Sequence, residues 1–236
     1  MNDAHIASAF DRDLEAIQGL IMKMGGLVET AISDASKALE MRDADMAAVV
    51  RKNDKLIDAL EEEVATEVAR VIAMRAPAAG DLRTVLSVLK ISGNLERVGD
   101  YSKNLAKRTS VLAEMDVVNG TGASIRRMAK LVSVMLKDAL DAYVQRDVEL
   151  AQDVRARDTE VDQMYNALFR EFLTHMMEDP RKITACMHLH FIAKNIERMG
   201  DHVTSIAEQV IYLVTGEVPD EDRDKADKTS YMSEVQ

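Results

Sequence analysis

Tryptophan is absent from this sequence of 236 residues, which has three prolines, a single cysteine and only 4% aromatic residues. One cysteine excludes an intramolecular disulfide framework and favours a reducing compartment. Cys186 lies within the helical pattern ITACMHLHF and is interpreted as a small buried apolar residue. Because prolines are rare while Ala, Leu, Met, Glu, Lys and Arg are abundant, the composition predicts an all-α fold.

Long apolar runs and an excess of basic residues are also absent. No run approaches the roughly 18 apolar residues that a membrane span needs, and the N-terminus has no basic-then-apolar leader pattern. The formal net charge of -11 argues against direct binding to nucleic acid or to an anionic membrane. We therefore expect a cytoplasmic protein that binds cations or basic partner surfaces and reaches a membrane only through a partner.

What the sequence does contain is helical periodicity. Apolar residues recur at spacings of three and four in six stretches, which predict six helices: residues 9–41, 43–74, 81–112, 124–144, 147–177 and 181–213. Asp43 and Asp81 are candidate N-caps for the second and third helices, which Pro77 and Gly80 separate. Residues 217–236 are charged and poorly periodic, and are predicted to form a loosely packed tail.

The two halves of the chain repeat each other. The segment EMRDADMAAVVRKNDKLID aligns with VQRDVELAQDVRARDTEVD, and NLERVGD aligns with NIERMGD, each pair being about one hundred residues apart. A period of this length is too long for a solenoid unit and indicates duplication of a three-helix bundle. We predict two tandem, elongated three-helix bundles at residues 1–115 and 116–216, followed by the tail at 217–236.

The repeated motif places two acids one helical turn apart, Glu96 with Asp100 and Glu197 with Asp201. Like charges at this spacing repel on a helix by ~0.2–0.5 kcal/mol. Both acids of the first motif nevertheless continue an apolar line of the third helix, at alternating steps of three and four. A carboxylate on the core-facing side of a helix needs a partner.

Counting outward from the helix turns finds partners, because residues equidistant from the turn of an antiparallel helix pair lie opposite each other. The first turn centres on Pro77 and the second on Asp179 and Pro180. The count gives these acidic pairs: Asp58 with Glu96, Asp54 with Asp100, Asp162 with Glu197, and Asp158 with Asp201. Each bundle is therefore predicted to gather four carboxylates at one level.

Such a group of carboxylates needs neutralisation. Two unit charges ~6 Å apart cost roughly 3 kcal/mol at an effective dielectric of 20, so the group must take up cations or protons. Carboxylates without thiolates and with little imidazole select hard ions such as Mg²⁺, Mn²⁺ or iron. Gly93, Gly99 and Gly200 favour this interpretation, because glycine costs ~1 kcal/mol in a helix interior and often marks close approach by another group.

An alternative is open, in which the helix faces are rotated and the acids pair with basic residues at the surface: Arg97, Arg198, Lys55 or Arg157. Arg97 and Arg198, which follow the motif glutamates, could also orient those glutamates or contact an anion on a partner. The last helix carries three histidines that have no counterpart in the first motif, so structural or surface roles are favoured for His188, His190 and His202, although His190 shares a helix line with Glu197 and could be a ligand.

These motifs, together with NDKLIDALEEE, RDTEVDQMYN, the APAAGDLR turn and GDHVTSIAE, closely resemble those of the PhoU family of bacterial phosphate-uptake regulators. Members of that family are tandem three-helix bundles whose acidic E(D)xxxD motifs bind metal clusters. The resemblance implies these metal ligands: Asp54, Asp58, Glu96, Asp100, Asp158, Asp162, Glu197 and Asp201. Asn104 and Glu208 are weaker additions, and this chain has Ser205 where the family motif usually continues with asparagine.

The resemblance also implies a function. PhoU proteins act as adaptors between a Pst-type phosphate ABC transporter and the sensor kinase PhoR, and they repress the phosphate-starvation response and phosphate uptake when phosphate is plentiful. By this resemblance the chain would be a metal-binding regulator rather than an enzyme. Its partners would be the transporter ATPase and PhoR, and it would form a homodimer.

Two other functions are considered beside this one. A carboxylate-bridged di-metal redox protein of the ferritin type needs a Glu-x-x-His motif from each of two helices, and no glutamate in this sequence has histidine three residues later. A metal-free helical scaffold would instead dock partner helices through exposed apolar grooves. The metal content of protein purified without chelators distinguishes the scaffold from the metal-binding adaptor.

Overall fold

The computed structural model describes residues 2–116, 118 and 120–219, with side chains from residue 9 onward. It confirms six long helices, with a single 3₁₀ turn at Pro180–Lys182 before the last one: α1 (Asn2–Met41), α2 (Ala44–Arg75), α3 (Ala79–Leu112), α4 (Thr121–Gln145), α5 (Val148–Glu178) and α6 (Ile183–Thr215). α1 begins earlier than the sequence pattern predicts. Residues 220–236, most of the predicted tail, lie outside the described residues.

The turns before α2 and α5 have the same construction in both repeats. Asp43 and Asp147 are the N-caps, and their carboxylates accept the backbone N–H groups of Met46 and Leu150 at 2.8 and 3.0 Å. The preceding residues Arg42 and Arg146 have left-handed backbones, with φ of 56° and 55°. The predicted N-cap role of Asp43 is therefore confirmed, and the repeat extends to the backbone of the turn.

The predicted N-cap role of Asp81 is wrong. α2 ends at Arg75, and the chain needs only residues 76–78 to turn, so the extended residue Ala78 is the N-cap of α3 and makes no side-chain capping bond. Asp81 lies inside the first turn of α3 instead. A carboxylate there still interacts favourably with the positive end of the helix dipole.

The helices form two three-helix units that pack side by side. Within each unit every helix contacts the other two, and the units meet where α3 packs against α6 and α1 against α4. The buried apolar side chains form one continuous cluster through both units. The predicted class, an all-α fold of duplicated three-helix bundles, is therefore confirmed, and the two bundles share a core.

α3 and α6 run antiparallel across the junction between the units. Asn94 Oδ1 lies 2.8 Å from His202 Nδ1, and Arg108 Nη1 lies 3.3 Å from His188 Nδ1 near the other end of the contact. This pairing places the two copies of the repeated motif close to each other at the middle of the molecule. None of the described helices combines the length and the apolar character needed to cross a bilayer.

Candidate metal centre

Two glycines of the repeated motif allow the acid-bearing helices to approach closely. A Cβ atom on Gly99 would lie 3.0 Å from Ile57 Cδ1, and one on Gly200 would lie 3.1 Å from Asp158 Oδ1. α2 therefore contacts α3, and α5 contacts α6, at equivalent positions of the motif. For Gly93 the prediction of close approach is wrong, because nothing lies within 4 Å of a Cβ built there.

The first acidic set lies between α2 and α3. Asp54 is only 4% exposed, and its Oδ2 atom lies 2.5 Å from the Lys103 ammonium. The same ammonium lies 3.3 Å from Asp100 Oδ1, so one cation bridges the carboxylates of the two helices. The predicted pairing of Asp54 with Asp100 across the helix hairpin is thus present in the structure.

Asp58 and Glu96 complete the first set and are half-buried. Burial raises the pKa of Asp58, and the charges of Asp54 and Asp100 raise it further, while Lys103 lowers it. Burial likewise raises the pKa of Glu96, with additional contributions from Asp100 and Asp58. Arg97 opposes the increase at Glu96, but for Asp58 and Glu96 the cost of burial outweighs the nearby positive charge.

The second acidic set lies between α5 and α6 and is more deeply buried. Asp158, Asp162 and Glu197 are all buried, with Glu197 only 6% exposed, whereas Asp201 is half-buried. Burial raises the pKa of Glu197 to about 7, against an opposing contribution from Lys194 and a smaller increase from Asp201 and Asp162. Lys194 Nζ lies 2.7 Å from Glu197 Oε1.

The sequence analysis missed two lysines that contact the acidic sets, Lys103 and Lys194. Each lies three residues from a motif acid, Lys103 after Asp100 and Lys194 before Glu197, a spacing that brings side chains onto the same helix face. The spacing signal was available for both. It did not stand out because lysine near an acid is common on exposed helix faces.

The acidic sets suit a hard metal ion in their chemistry, although the side chains are not gathered around a common point. Within the described part of the chain, no three acidic, histidine or cysteine side chains are arranged to hold an ion as they stand. A buried oxygen nevertheless lacks a hydrogen-bond donor, because Glu197 Oε1 takes the lysine and Oε2 has no partner. Carboxylate oxygens are the ligands that Mg²⁺ and comparable hard ions prefer.

The remaining predicted residues lie at the edges of these sets. Arg97 is 61% exposed and lies 3.7 Å from Glu96 Oε2 and 3.9 Å from Asp100 Oδ2, a surface ion pair of the kind that the alternative interpretation predicts. Arg198 is also exposed. Arg157 does not pair with the acidic set, because it binds Asp138 at 2.6 Å and Asp153 at 3.0 Å.

The two weaker ligand candidates are placed differently. Asn104 is exposed, one turn beyond Asp100. Glu208 is half-buried and lies 3.3 Å from the Arg155 Nε atom, which links α6 to α5. Ser205 donates a hydrogen bond to the Asp201 carbonyl at 3.0 Å, so it satisfies its own helix backbone.

The histidines and the cysteine have the structural placements that the sequence analysis favours. His190 packs among Tyr165, Phe169 and Phe191, and burial lowers its pKa. Burial also lowers the pKa of His202, which contacts Asn94 at the junction of the two units. Cys186 is fully buried in the core.

The fold and this site together define a class of protein. It is an all-helical molecule built from a duplicated three-helix unit, and each unit holds carboxylates between two helices at equivalent positions. A family model described as "PhoU domain" matches residues 21–109 and again residues 125–210, once in each unit. The chain belongs to the PhoU family.

Relatives agree with this membership over the full length. A Rhizobium meliloti protein named phosphate-specific transport system accessory protein PhoU homolog is 44% identical over 235 residues, covering 100% of this chain and 99% of the relative. A Caulobacter vibrioides protein of the same name is 45% identical over 226 residues, covering 96% of this chain and 98% of the relative.

Solved structures share the fold. The crystal structure of PhoU from Pseudomonas aeruginosa superposes with a TM-score of 0.85 at 38% identity, covering 88% of this chain and 100% of that one. The structure of the phosphate transport system regulatory protein PhoU from Streptococcus pneumoniae gives a TM-score of 0.83 at 30% identity, covering 89% of this chain and 99% of that one.

Proposed function

We propose that this protein is a metal-binding regulatory adaptor of phosphate uptake that links a phosphate ABC transporter to the sensor kinase PhoR. In this role it represses the phosphate-starvation response and restrains uptake when phosphate is plentiful. Family membership and the names of the relatives support a role in phosphate transport. The adaptor is a cytoplasmic homodimer, peripheral to the membrane through its partners, and catalyses no reaction.

The observation that carries the metal-binding part is the pair of buried carboxylate sets at equivalent positions of the two repeats. Burying carboxylates is costly unless they are neutralised, and the raised pKa values of Asp58, Glu96 and Glu197, each caused chiefly by burial, support the proposal. Mg²⁺, Mn²⁺ or iron bound there would supply the missing positive charge. The metal ligands are the motif acids and their partners on α2 and α5, with Asn104 and Glu208 as peripheral additions.

Metal binding is tested by elemental analysis and by thermal shift of the protein purified without chelators. A cation that binds the native state raises its stability by mass action. Glu96→Gln combined with Asp100→Asn should lower the metal content of the first set and leave that of the second. Glu149→Gln with Asp153→Asn, an exposed pair at the same helical spacing, serves as the matched control.

The regulatory part is tested in cells. Deleting the gene should derepress phosphate-scavenging genes in phosphate-rich medium, and unchanged expression would refute the role. Complementation with a variant that lacks the acids of both motifs separates the metal-binding adaptor from a metal-free scaffold. The scaffold is the second candidate because Lys103 and Lys194 already give each set a cation of its own. Full repression by a variant that binds no metal would establish it.

A further inference from the structure

Each acidic set contains one lysine, and the two lysines come from different positions of the repeat. In the aligned motifs, the position of Lys103 is occupied in the second repeat by Thr204, which is buried and donates a hydrogen bond to the Gly200 carbonyl at 3.0 Å. The position of Lys194 is occupied in the first repeat by Gly93. The carboxylates are thus duplicated, whereas the cation approaches the first set from beyond Asp100 and the second from before Glu197.

The ammonium groups contact carboxylate oxygens that a metal ion bound to each set would also use. Lys103 Nζ is 2.5 Å from Asp54 Oδ2, and Lys194 Nζ is 2.7 Å from Glu197 Oε1. Hard metal ions bind carboxylate oxygens at about 2.0–2.6 Å, so an ion on either oxygen would compete with the ammonium for the same atom. Two cations that share one carboxylate oxygen in a buried site repel each other, which favours departure of the ammonium when the ion binds.

Both lysines have a route out of the site. The Lys103 side chain is 41% exposed and that of Lys194 is 30% exposed, although the carboxylates that they bind are buried. A lysine stem has four flexible carbons, so its ammonium can move into water without any change in the helix backbone. Lys194 also lies 4.9 Å from the centre of the Tyr165 ring, an attraction that is absent for Lys103 among the contacts of the described residues.

We propose that Lys103 and Lys194 are displaceable internal cations, each of which neutralises its carboxylate set in the metal-free protein and must leave when a metal ion binds. This inference rests on the metal sites of the proposed function and assigns the residues that set their affinity. Because the lysines occupy different positions and have different contacts, each repeat has its own affinity.

The test uses Mn²⁺ as the probe and the full-length protein freed of metal by a chelator. Lys103→Met should raise the Mn²⁺ affinity of one class of site by about tenfold in titration calorimetry, and Lys194→Met should do the same for the other class. Lys107→Met is the matched control, since Lys107 is an exposed lysine one turn further along α3 and should leave both affinities unchanged.

A second measurement follows the wild-type amines directly and does not depend on any variant folding. Lysine acetylation by acetic anhydride, read by mass spectrometry, should be slow at Lys103 and Lys194 without metal and several-fold faster with saturating Mn²⁺, with Lys107 constant in both states. Mn²⁺ binding without a change in labelling or in the affinity of the methionine variants would overturn the displacement and leave the metal sites standing. An equal gain in Mn²⁺ affinity for Lys107→Met would mean that any loss of positive charge has this effect, and would also overturn the displacement. No Mn²⁺ binding by any form would overturn the metal sites themselves.

Discussion

At the scale of a single residue, the burial of Glu197 makes the stability of the protein depend on pH. Burial raises its pKa from 4.5 to about 7 in the folded protein. Between those values the folded chain binds a proton that the unfolded chain has released, so the free energy of unfolding falls as pH rises from about 4.5 to about 7. The stability that this proton contributes is fully present below 4.5 and is lost above 7, on the order of 3 kcal/mol.

Glu197→Gln should therefore flatten the pH dependence of stability in the metal-free protein and make it more stable than wild type at pH 8. The amide is uncharged at every pH and keeps a carbonyl oxygen for Lys194. Urea denaturation at pH 5 and pH 8 in the presence of a chelator measures this effect. Glu149→Gln, an exposed change on α5, is the control. If the free energy of unfolding of Glu197→Gln still differed between pH 5 and pH 8 as much as that of wild type, Glu197 would not be the cause of the pH dependence.

The motif glycines give a second prediction at the residue scale. Gly99→Ala should destabilise the protein by about 1–3 kcal/mol, because the new methyl group would lie 3.0 Å from Ile57 Cδ1 and the buried Ile57 side chain would have to shift. Gly200→Ala should act in the same way through Asp158 and Val161. Chemical denaturation of each variant measures the change.

Gly93→Ala is the matched control on the same helix. Nothing lies within 4 Å of the added carbon, so alanine should raise stability by ~0.5–1 kcal/mol through its better helix propensity. A destabilisation by Gly93→Ala as large as that of Gly99→Ala would show that close helix approach is not the cause. The sequence could not separate these glycines, because helix periodicity does not tell how near the side chains of the neighbouring helix come.

At the scale of the helices, the two copies of the turn before α2 and α5 can be compared. Both have a left-handed arginine, but among the described residues the structure gives only Arg42 side-chain hydrogen bonds to the end of α3. Arg42 and Arg146 both have left-handed φ values, which cost a non-glycine residue roughly 1 kcal/mol or more. Arg42 offsets this cost, because its guanidinium donates hydrogen bonds to the carbonyls of Leu112 at 2.7 Å and Ala113 at 3.1 Å. It also bonds the Met115 carbonyl. These bonds satisfy carbonyls at the C-terminal end of α3.

Arg146→Gly should therefore stabilise the protein by ~1 kcal/mol, since glycine adopts the left-handed backbone without strain. Arg42→Gly should destabilise it by about 1–2 kcal/mol, because loss of the bonds to α3 outweighs the relief of strain. Thermal unfolding of the two variants side by side measures the difference. Equal shifts in the same direction would contradict the capping role of Arg42.

Much at this scale could be predicted from the sequence. Spacings of three and four locate all six helices, and counting from the turn at Pro77 correctly opposes Asp54 and Asp100. The lysine contacts could not be predicted in this way, because a flexible side chain can reach a buried acid or extend into water from the same backbone position. The Asp81 prediction was wrong because capping preference cannot tell which residue after a proline first becomes extended.

At the scale of the whole molecule, the repeats share a core that the duplication alone does not imply. Periodicity shows that α3 and α6 each have a broad apolar surface, but it does not tell which helix covers it. In the structure they cover each other, and α1 and α4 do likewise, whereas the main contacts of α2 and α5 among the described residues are with helices of their own unit. The buried cluster then runs through all the helices without a break.

This arrangement predicts that the two units unfold together. Val64 on α2 and Val154 on α5 are fully buried in different units, on helices that do not form the main contacts between the units. Val64→Ala and Val154→Ala should each cost ~2 kcal/mol and displace one single calorimetric transition by about 4–8 °C. If the units were independent, each substitution would instead split the transition, moving the half that carries it and leaving the other at the wild-type temperature. A single displaced transition in both variants means that stabilising the acidic set of one repeat, by a cation or by a substitution, also stabilises the other repeat.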